Sequence, residues 1–202
     1  MIQQINMFLS DKLNFCILRG FPRHSIRFAK EYFDNKEIIV VEIGTHKGYN
    51  AKSILKELNV MKLYLIDPYK EYSDYIKSEP NADQQLLSNA ERIARKKLKK
   101  FGRKIAWLKE YSDDAVDDVV DNIDFVYIDG NHEYEYVIKD MENYYKKLNV
   151  GGILAGHDIT SFQGVSKALF EFCNRHKLEP YITRTDWWII KQRIKSKIKK
   201  NK

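Results

Sequence analysis

The sequence predicts an α/β protein built on a mostly parallel sheet, and three observations carry that prediction. Short β-branched blocks alternate along the chain with longer stretches whose apolar residues recur three and four positions apart. The block Ile123–Ile128 is almost continuously apolar, which suits a central strand covered on both faces. The residues that follow the blocks are polar, glycine-rich or acidic: Gly44–Tyr49, Asp67-Pro68, Tyr111–Asp113, Asp129–His132 and Gly156–Asp158. In parallel sheets, ligands sit beyond the carboxyl ends of the strands, where these residues fall.

The elements can be justified in order. His24–Phe33 carries Ile26, Phe28, Ala29, Tyr32 and Phe33 at helical spacing and runs into the strand Glu37–Ile43, which Gly44 ends. Asn50–Leu58 returns to helical spacing. Lys62–Ile66 is a second strand and stops at Asp67-Pro68, because a residue before proline resists helix. Asp83–Phe101 reads as a long amphipathic helix stopped by Gly102, and Lys104–Leu108 as the third strand. A short helix over Asp113–Val120 leads to the fourth strand, Ile123–Ile128. Helix Tyr134–Leu148, a turn at Asn149–Gly152, strand Ile153–Ala155, helix Val165–His176 and two strands near Tyr181–Thr183 and Trp187–Lys191 complete the series.

Composition bounds the function classes. A chain of 202 residues with 44% hydrophobic and 31% charged residues suits one globular domain. The net charge of +7 comes from the end: Lys191 onward holds seven basic residues and no acidic one, leaving 28 basic and 28 acidic before it. A basic end of this kind reads first as solvated, so the charge names no partner. Cys16 and Cys173 fit no metal or redox spacing, so a reducing compartment, the cytoplasm, is expected. No apolar run approaches the ~20 residues of a membrane span, and Met1–Leu9, followed by Asp11 and Lys12, is not expected to be a signal peptide. The chain is expected to divide into an N-terminal helical or lid segment (1–23), a main α/β domain (24–191) and a basic tail (192–202). The first segment and the connection from Tyr69 to Pro80 offer a lid or a homodimer contact over the cleft at the strand ends.

Val41 to Asn50 gives the spacing E-x-G-x-x-x-G on Glu42, Gly44 and Gly48, after a strand and opening a helix. The dinucleotide fingerprint has glycines where His46 and Tyr49 stand, and no phosphate-binding G-x-x-x-x-G-K-[ST] occurs. Asp67 ends the next strand, where a carboxylate accepts hydrogen bonds from ribose hydroxyls. S-adenosylmethionine offers those hydroxyls without a pyrophosphate. Read alone, Gly44, Gly48 and Asp67 would be ordinary turn residues.

Two further runs narrow the reading: Ile123-Asp124-Phe125-Val126-Tyr127-Ile128-Asp129-Gly130-Asn131-His132 and Gly151-Gly152-Ile153-Leu154-Ala155-Gly156-His157-Asp158. With the glycine motif, they resemble a bacterial-type branch of the class I S-adenosylmethionine-dependent methyltransferases, over about residues 24–190. The resemblance implies a Rossmann-like three-layer sandwich with a seven-stranded sheet in the order 3-2-1-4-5-7-6, the seventh strand antiparallel. It implies that Glu42, Gly44, Thr45, His46, Gly48 and Asn50 surround the methionine part of the cofactor. Asp67 would take the ribose, and Pro68, Ser112 and Asp113 the adenine.

Methyl transfer is an in-line displacement, so the protein must orient an acceptor and make it nucleophilic. The [DN]-P-P-[FY] motif of nucleobase amino-methylating enzymes is absent after the fourth strand, where Asp129-Gly130-Asn131-His132 stands. That favours an oxygen acceptor on a small hydroxylated molecule and argues against nucleic acid. Asp129 and Asp158 end neighbouring strands beside His132 and His157, a donor set for a divalent ion such as Mg²⁺ or Mn²⁺. In the metal-dependent O-methyltransferases that the chain resembles, two aspartates and an asparagine hold the metal. Asp129 and Asp158 match the aspartates, Ile159 stands at the asparagine position, and His157 or His132 is the substitute. His132 is also the expected general base, since imidazole titrates near 6.5. The blander readings make His132 a helix cap and His157 a packing residue. A nucleic-acid methyltransferase using the basic tail and a non-catalytic binder of S-adenosylmethionine are the alternatives.

Overall fold

The computed structural model describes residues 22–71 and 83–193. Its elements are α1 (His24–Phe33), β1 (Ile38–Ile43), α2 (Tyr49–Glu57), β2 (Val60–Ile66), α3 (Gln84–Leu98), a 3-10 turn (Lys99–Lys104), β3 (Ile105–Leu108), α4 (Ser112–Ala115), β4 (Ile123–Ile128), α5 (Tyr134–Lys147), β5 (Leu148–Gly156), α6 (Gln163–His176), β6 (Tyr181–Thr183) and β7 (Asp186–Ile190). The strands form one sheet in the order β3-β2-β1-β4-β5-β7-β6. Pairing is parallel from β3 to β5, and β7 is antiparallel to β5 and β6. This is the expected order with the expected reversed strand. The lid, dimer and tail expectations rest largely on residues 1–21, 72–82 and 194–202, outside the described residues. No helix among the described residues is long and apolar enough to cross a membrane.

Helices cover both faces of the sheet because neighbouring strand residues point to opposite sides. Ile26, Ala51, Ile54 and Leu98 of α1–α3 pack on one face with Val40, Leu63, Leu65 and Phe125. Val137, Met141, Leu169 and Phe172 of α5 and α6 pack on the other with Val41, Val126 and Leu154. Each of these valine, leucine, isoleucine, phenylalanine and methionine side chains contributes roughly 1.5–3 kcal/mol on burial. All six residues of β4 are buried, as its apolar run predicts. The exception in polarity, Asp124, accepts from Lys36 Nζ, the Ile39 N–H and Asn149 Nδ2, so its burial is compensated.

Two expectations are corrected. The helix expected over Asp113–Val120 is only Ser112–Ala115, because Asp117 and Asp118, poor helix formers whose charge is unfavourable near a helix C-terminus, follow it. The turn expected at Asn149–Gly152 lies within β5. There the Gly151 N–H donates to the Lys191 carbonyl and the Lys191 N–H to the Gly152 carbonyl, both at 2.8 Å, so tertiary pairing overrides the Asn-x-Gly-Gly turn signal. The sheet order reverses between β1 and β4, and the loops leaving these strands diverge to open a crevice.

Candidate active site

The crevice is built from the carboxyl ends of β1 to β4. Beyond the strands the ladder continues: the Asp129 N–H donates to the Ile43 carbonyl at 2.8 Å, and the Gly44 N–H to the Ile66 carbonyl at 2.9 Å. Gly44 has φ +86°, and a Cβ there would lie 2.0 Å from the Asp129 carbonyl oxygen, so no side chain fits. The resulting cleft is about 420 Å³ in volume, within the size range of small-molecule sites. It is lined by Gly44 and His46, Asp67 and Pro68, Ser112 and Asp113, and Asp129–Asn131, with Tyr136 and Asp140 from α5.

Asp67 holds two of these loops together. Its Oδ2 accepts the His46 N–H at 2.7 Å and its Oδ1 the Tyr69 N–H at 2.9 Å, while the Tyr69 hydroxyl donates to the His46 carbonyl. His46 and Tyr69 are left-handed, at φ 46° and 47°, and the Asp67 bonds offset that strain. Burial pushes the Asp67 carboxyl up, and the two backbone donors pull it back. Beneath the Gly44–Gly48 loop, Glu42 is buried and accepts from Asn50 Nδ2 at 2.9 Å. Burial pushes its carboxyl up to about 8, tempered by Asn50 and Thr45, so Glu42 is mostly uncharged at neutral pH. Glu42 Oε2 and Asn50 Oδ1 are buried with no well-formed hydrogen bond among the described residues.

The opposite wall is gripped by α5. The Ser112 carbonyl accepts from the Tyr144 hydroxyl at 2.8 Å, and the Ser112 side chain bonds to Asp140. The Asp113 carboxylate accepts from Lys139 Nζ and from Asn143 Nδ2. Asp140 is 3% exposed, and burial pushes its carboxyl up to about 7, with Asp113 adding to the effect.

Asp129 also belongs to a second group. One donor atom each from Asp129, His132 and Asp158 lies within 4.8 Å of the others. His132 Nε2 stands 3.3 Å from Asp158 Oδ2 and 3.8 Å from Asp129 Oδ1. Its ring stacks on Phe162, with centroids 4.1 Å apart. Burial disfavours the imidazolium, but the two carboxylates outweigh burial and push His132 up to about 9. Burial alone would raise Asp158; His132 and His157 instead hold it well below the usual carboxylate range. His157 Nδ1 lies 3.0 Å from Asp158 Oδ1, while its Nε2 meets the Arg23 guanidinium and, at 2.7 Å, the Thr185 hydroxyl. A guanidinium only donates, so His157 Nε2 is the acceptor and Nδ1 carries its proton toward Asp158.

The family follows from a match between residues 41–159, more than half of the chain, and a methyltransferase domain. The chain belongs to the methyltransferase domain family. Its fold is that of the class I S-adenosylmethionine-dependent enzymes. An uncharacterized protein of Acanthamoeba polyphaga mimivirus is 27% identical over 148 residues, covering 69% of this chain and 60% of that protein, so the chain spans less than two thirds of this relative's length. Among solved structures, the O-methyltransferase NovP overlays with a TM-score of 0.66 at 19% identity, over 84% of this chain and 78% of that one. The O-methyltransferase from Bacillus cereus, in complex with SAH, overlays with a TM-score of 0.59 at 14% identity, over 95% and 100%. An rRNA methylase from Streptococcus thermophilus shares the fold too, so the fold does not choose the acceptor.

The domain places the expected residues in three groups. Gly44, His46, Asp67, Pro68, Ser112, Asp113 and Asp129 line the cleft; Glu42, Thr45, Gly48 and Asn50 lie behind its loop instead. His132 and Asp158 join Asp129 in the acidic group, whereas His157 turns its Nε2 to Arg23 and Thr185. Arg23, Asp140, Phe162 and Asp186 were not visible as site residues in the sequence. Asp140 had a signal that could have found it: a carboxylate three and four residues from Val137 and Tyr144 on the apolar side of α5.

Proposed function

We propose that this methyltransferase binds S-adenosylmethionine along the cleft and methylates an oxygen of a small hydroxylated molecule at Asp129, His132 and Asp158. The observation that carries the reading is the double membership of Asp129, which lines the cleft and belongs to the acidic group. A methyl donor in the cleft and an acceptor at that group would therefore share a boundary.

The residues fit an adenosyl ligand. Each Asp67 oxygen takes only one backbone N–H and keeps acceptor capacity for ribose hydroxyls. Pro68, Ser112 and Asp113 offer a wall for the adenine. Glu42, Thr45, Gly48 and Asn50 support the Gly44–His46 loop from beneath, with Asn50 Nδ2 donating to Glu42 Oε1. When bound, S-adenosylmethionine supplies an electrophilic methyl group for in-line displacement.

At the acceptor end, His132 receives the hydroxyl proton as the oxygen–carbon bond forms, and Asp129 and Asp158 stabilise the imidazolium. The same carboxylates favour the protonated ring at rest, so the base acts after giving up that proton. A second reading has a specific observation in its favour, the close convergence of three oxygen and nitrogen donors. In it, Asp129, Asp158 and His132 would hold Mg²⁺ or Mn²⁺, whose charge acidifies a hydroxyl, and Ile159 explains why an imidazole is needed as third donor.

The test is transfer of labelled methyl from S-adenosylmethionine to a panel of hydroxylated small molecules and to RNA, with and without Mn²⁺. Label should enter a small molecule and be lost in Asp129→Asn and His132→Gln. Label entering RNA alone would overturn the reading.

A further inference from the structure

Arg23 precedes α1 and reaches into the acidic group. Its Nη2 lies 3.9 Å from Asp129 Oδ2, and its Nη1 contacts His157 Nε2. Its side chain is only 22% exposed, so solvent screens the charge weakly. The guanidinium is also held from below. Two residues on, the Ser25 N–H and hydroxyl both donate to Asp186 Oδ2 at 3.0 Å, and Asp186 is 1% exposed. Tyr127 donates to the other oxygen of Asp186 at 3.4 Å. The start of α1 is thus fastened to the start of β7, and Arg23 is fixed where β4 and β5 end.

We propose that Arg23 is the resident counter-ion of Asp129 and competes with a divalent cation for that carboxylate. The inference rests on the second reading above, in which Asp129, His132 and Asp158 hold the metal. Its physical basis is simple. Asp129 offers two oxygens, one facing His132 and one facing Arg23. A permanent positive charge about 4 Å from a ligand oxygen opposes a second cation there, and arginine cannot relieve the conflict by losing a proton. Arg23 also occupies the Nε2 lone pair of His157, which keeps that imidazole from serving as a further donor. The charge sets a threshold: the protein carries its own cation at low metal concentration and exchanges it when metal is plentiful.

The experiment is Mn²⁺ titration of the full chain, read as loss of the electron paramagnetic resonance signal of free Mn²⁺, for wild type, Arg23→Gln and Arg23→Lys. Thermal melts establish that each variant is folded. Arg23→Gln should bind Mn²⁺ tighter by on the order of tenfold, a typical size for changes beside metal ligands, while Arg23→Lys keeps the charge and stays near wild type. Unchanged or weaker binding in Arg23→Gln overturns the proposal with the metal reading intact. If no chain binds Mn²⁺, the metal reading itself fails, and this inference with it.

Discussion

Gly44 and Asp129 meet backbone to backbone: the position a Gly44 Cβ would occupy lies 2.0 Å from the Asp129 carbonyl oxygen. Through this contact the loop after β1 and the acidic end of β4 form one surface. A glycine that looks like a turn residue in the sequence is therefore required by packing between two strand ends.

Gly44→Ala should destabilise the fold by at least about 2 kcal/mol, because it adds a steric clash to a left-handed backbone. Urea unfolding of the variant should show a lower midpoint with an unchanged slope. A wild-type midpoint would show that the two loops separate freely.

Asp140 makes stability depend on pH. Its carboxyl is raised from about 4 to about 7 in the folded chain, so folding favours the protonated form. The stability it contributes is full below pH 4 and is lost as pH rises through 7. Asp140→Asn keeps an acceptor for Ser112 and cannot ionise. The difference in melting temperature, variant minus wild type, should grow from pH 5 to pH 8; a constant difference would contradict the assignment.

His132→Gln should lower turnover by roughly 10²–10⁴-fold, the usual contribution of a positioned general base. Its affinity for S-adenosylhomocysteine should stay that of wild type, because His132 does not line the cleft. Calorimetry beside single-turnover rates separates the two, and a parallel loss of both would place His132 in cofactor binding instead.

Ser25→Ala removes one of the two donors to Oδ2 of a nearly inaccessible carboxylate, Asp186, whose Oδ1 accepts from Tyr127. The expected cost is about 1–3 kcal/mol, larger than for an exposed hydroxyl. Chemical denaturation checks the value, and a change within about 0.5 kcal/mol would mean that the Ser25 N–H and the Tyr127 hydroxyl together satisfy Asp186.

Local patterns made the fold legible. β4 spans the six residues its apolar run marks out, and α5 and α6 begin within two residues of where their spacing starts. The cleft was legible for a related reason: in a parallel sheet every strand ends on the same side, so Gly44, Asp67, Ser112 and Asp129 had to converge. What escaped the sequence depends on contacts between distant residues. Ser25 and Asp186 are 161 positions apart, and no periodicity links them. His157 looked like a metal donor beside Asp158, but Arg23 and Thr185, from the two ends of the chain, claim its Nε2. Glu42 looked like a cofactor contact, yet its place within β1 buries it behind the loop it was expected to act with.

The central claim, that the cleft binds an adenosyl cofactor through Asp67, is tested most directly by calorimetric titration with S-adenosylhomocysteine. Wild type and Asp67→Ala are compared after melts confirm that both are folded. Saturable binding to wild type that disappears in folded Asp67→Ala is the predicted result. Equal binding by both chains would contradict the placement of the ribose, and no binding by wild type would contradict the assignment of the cleft to this cofactor.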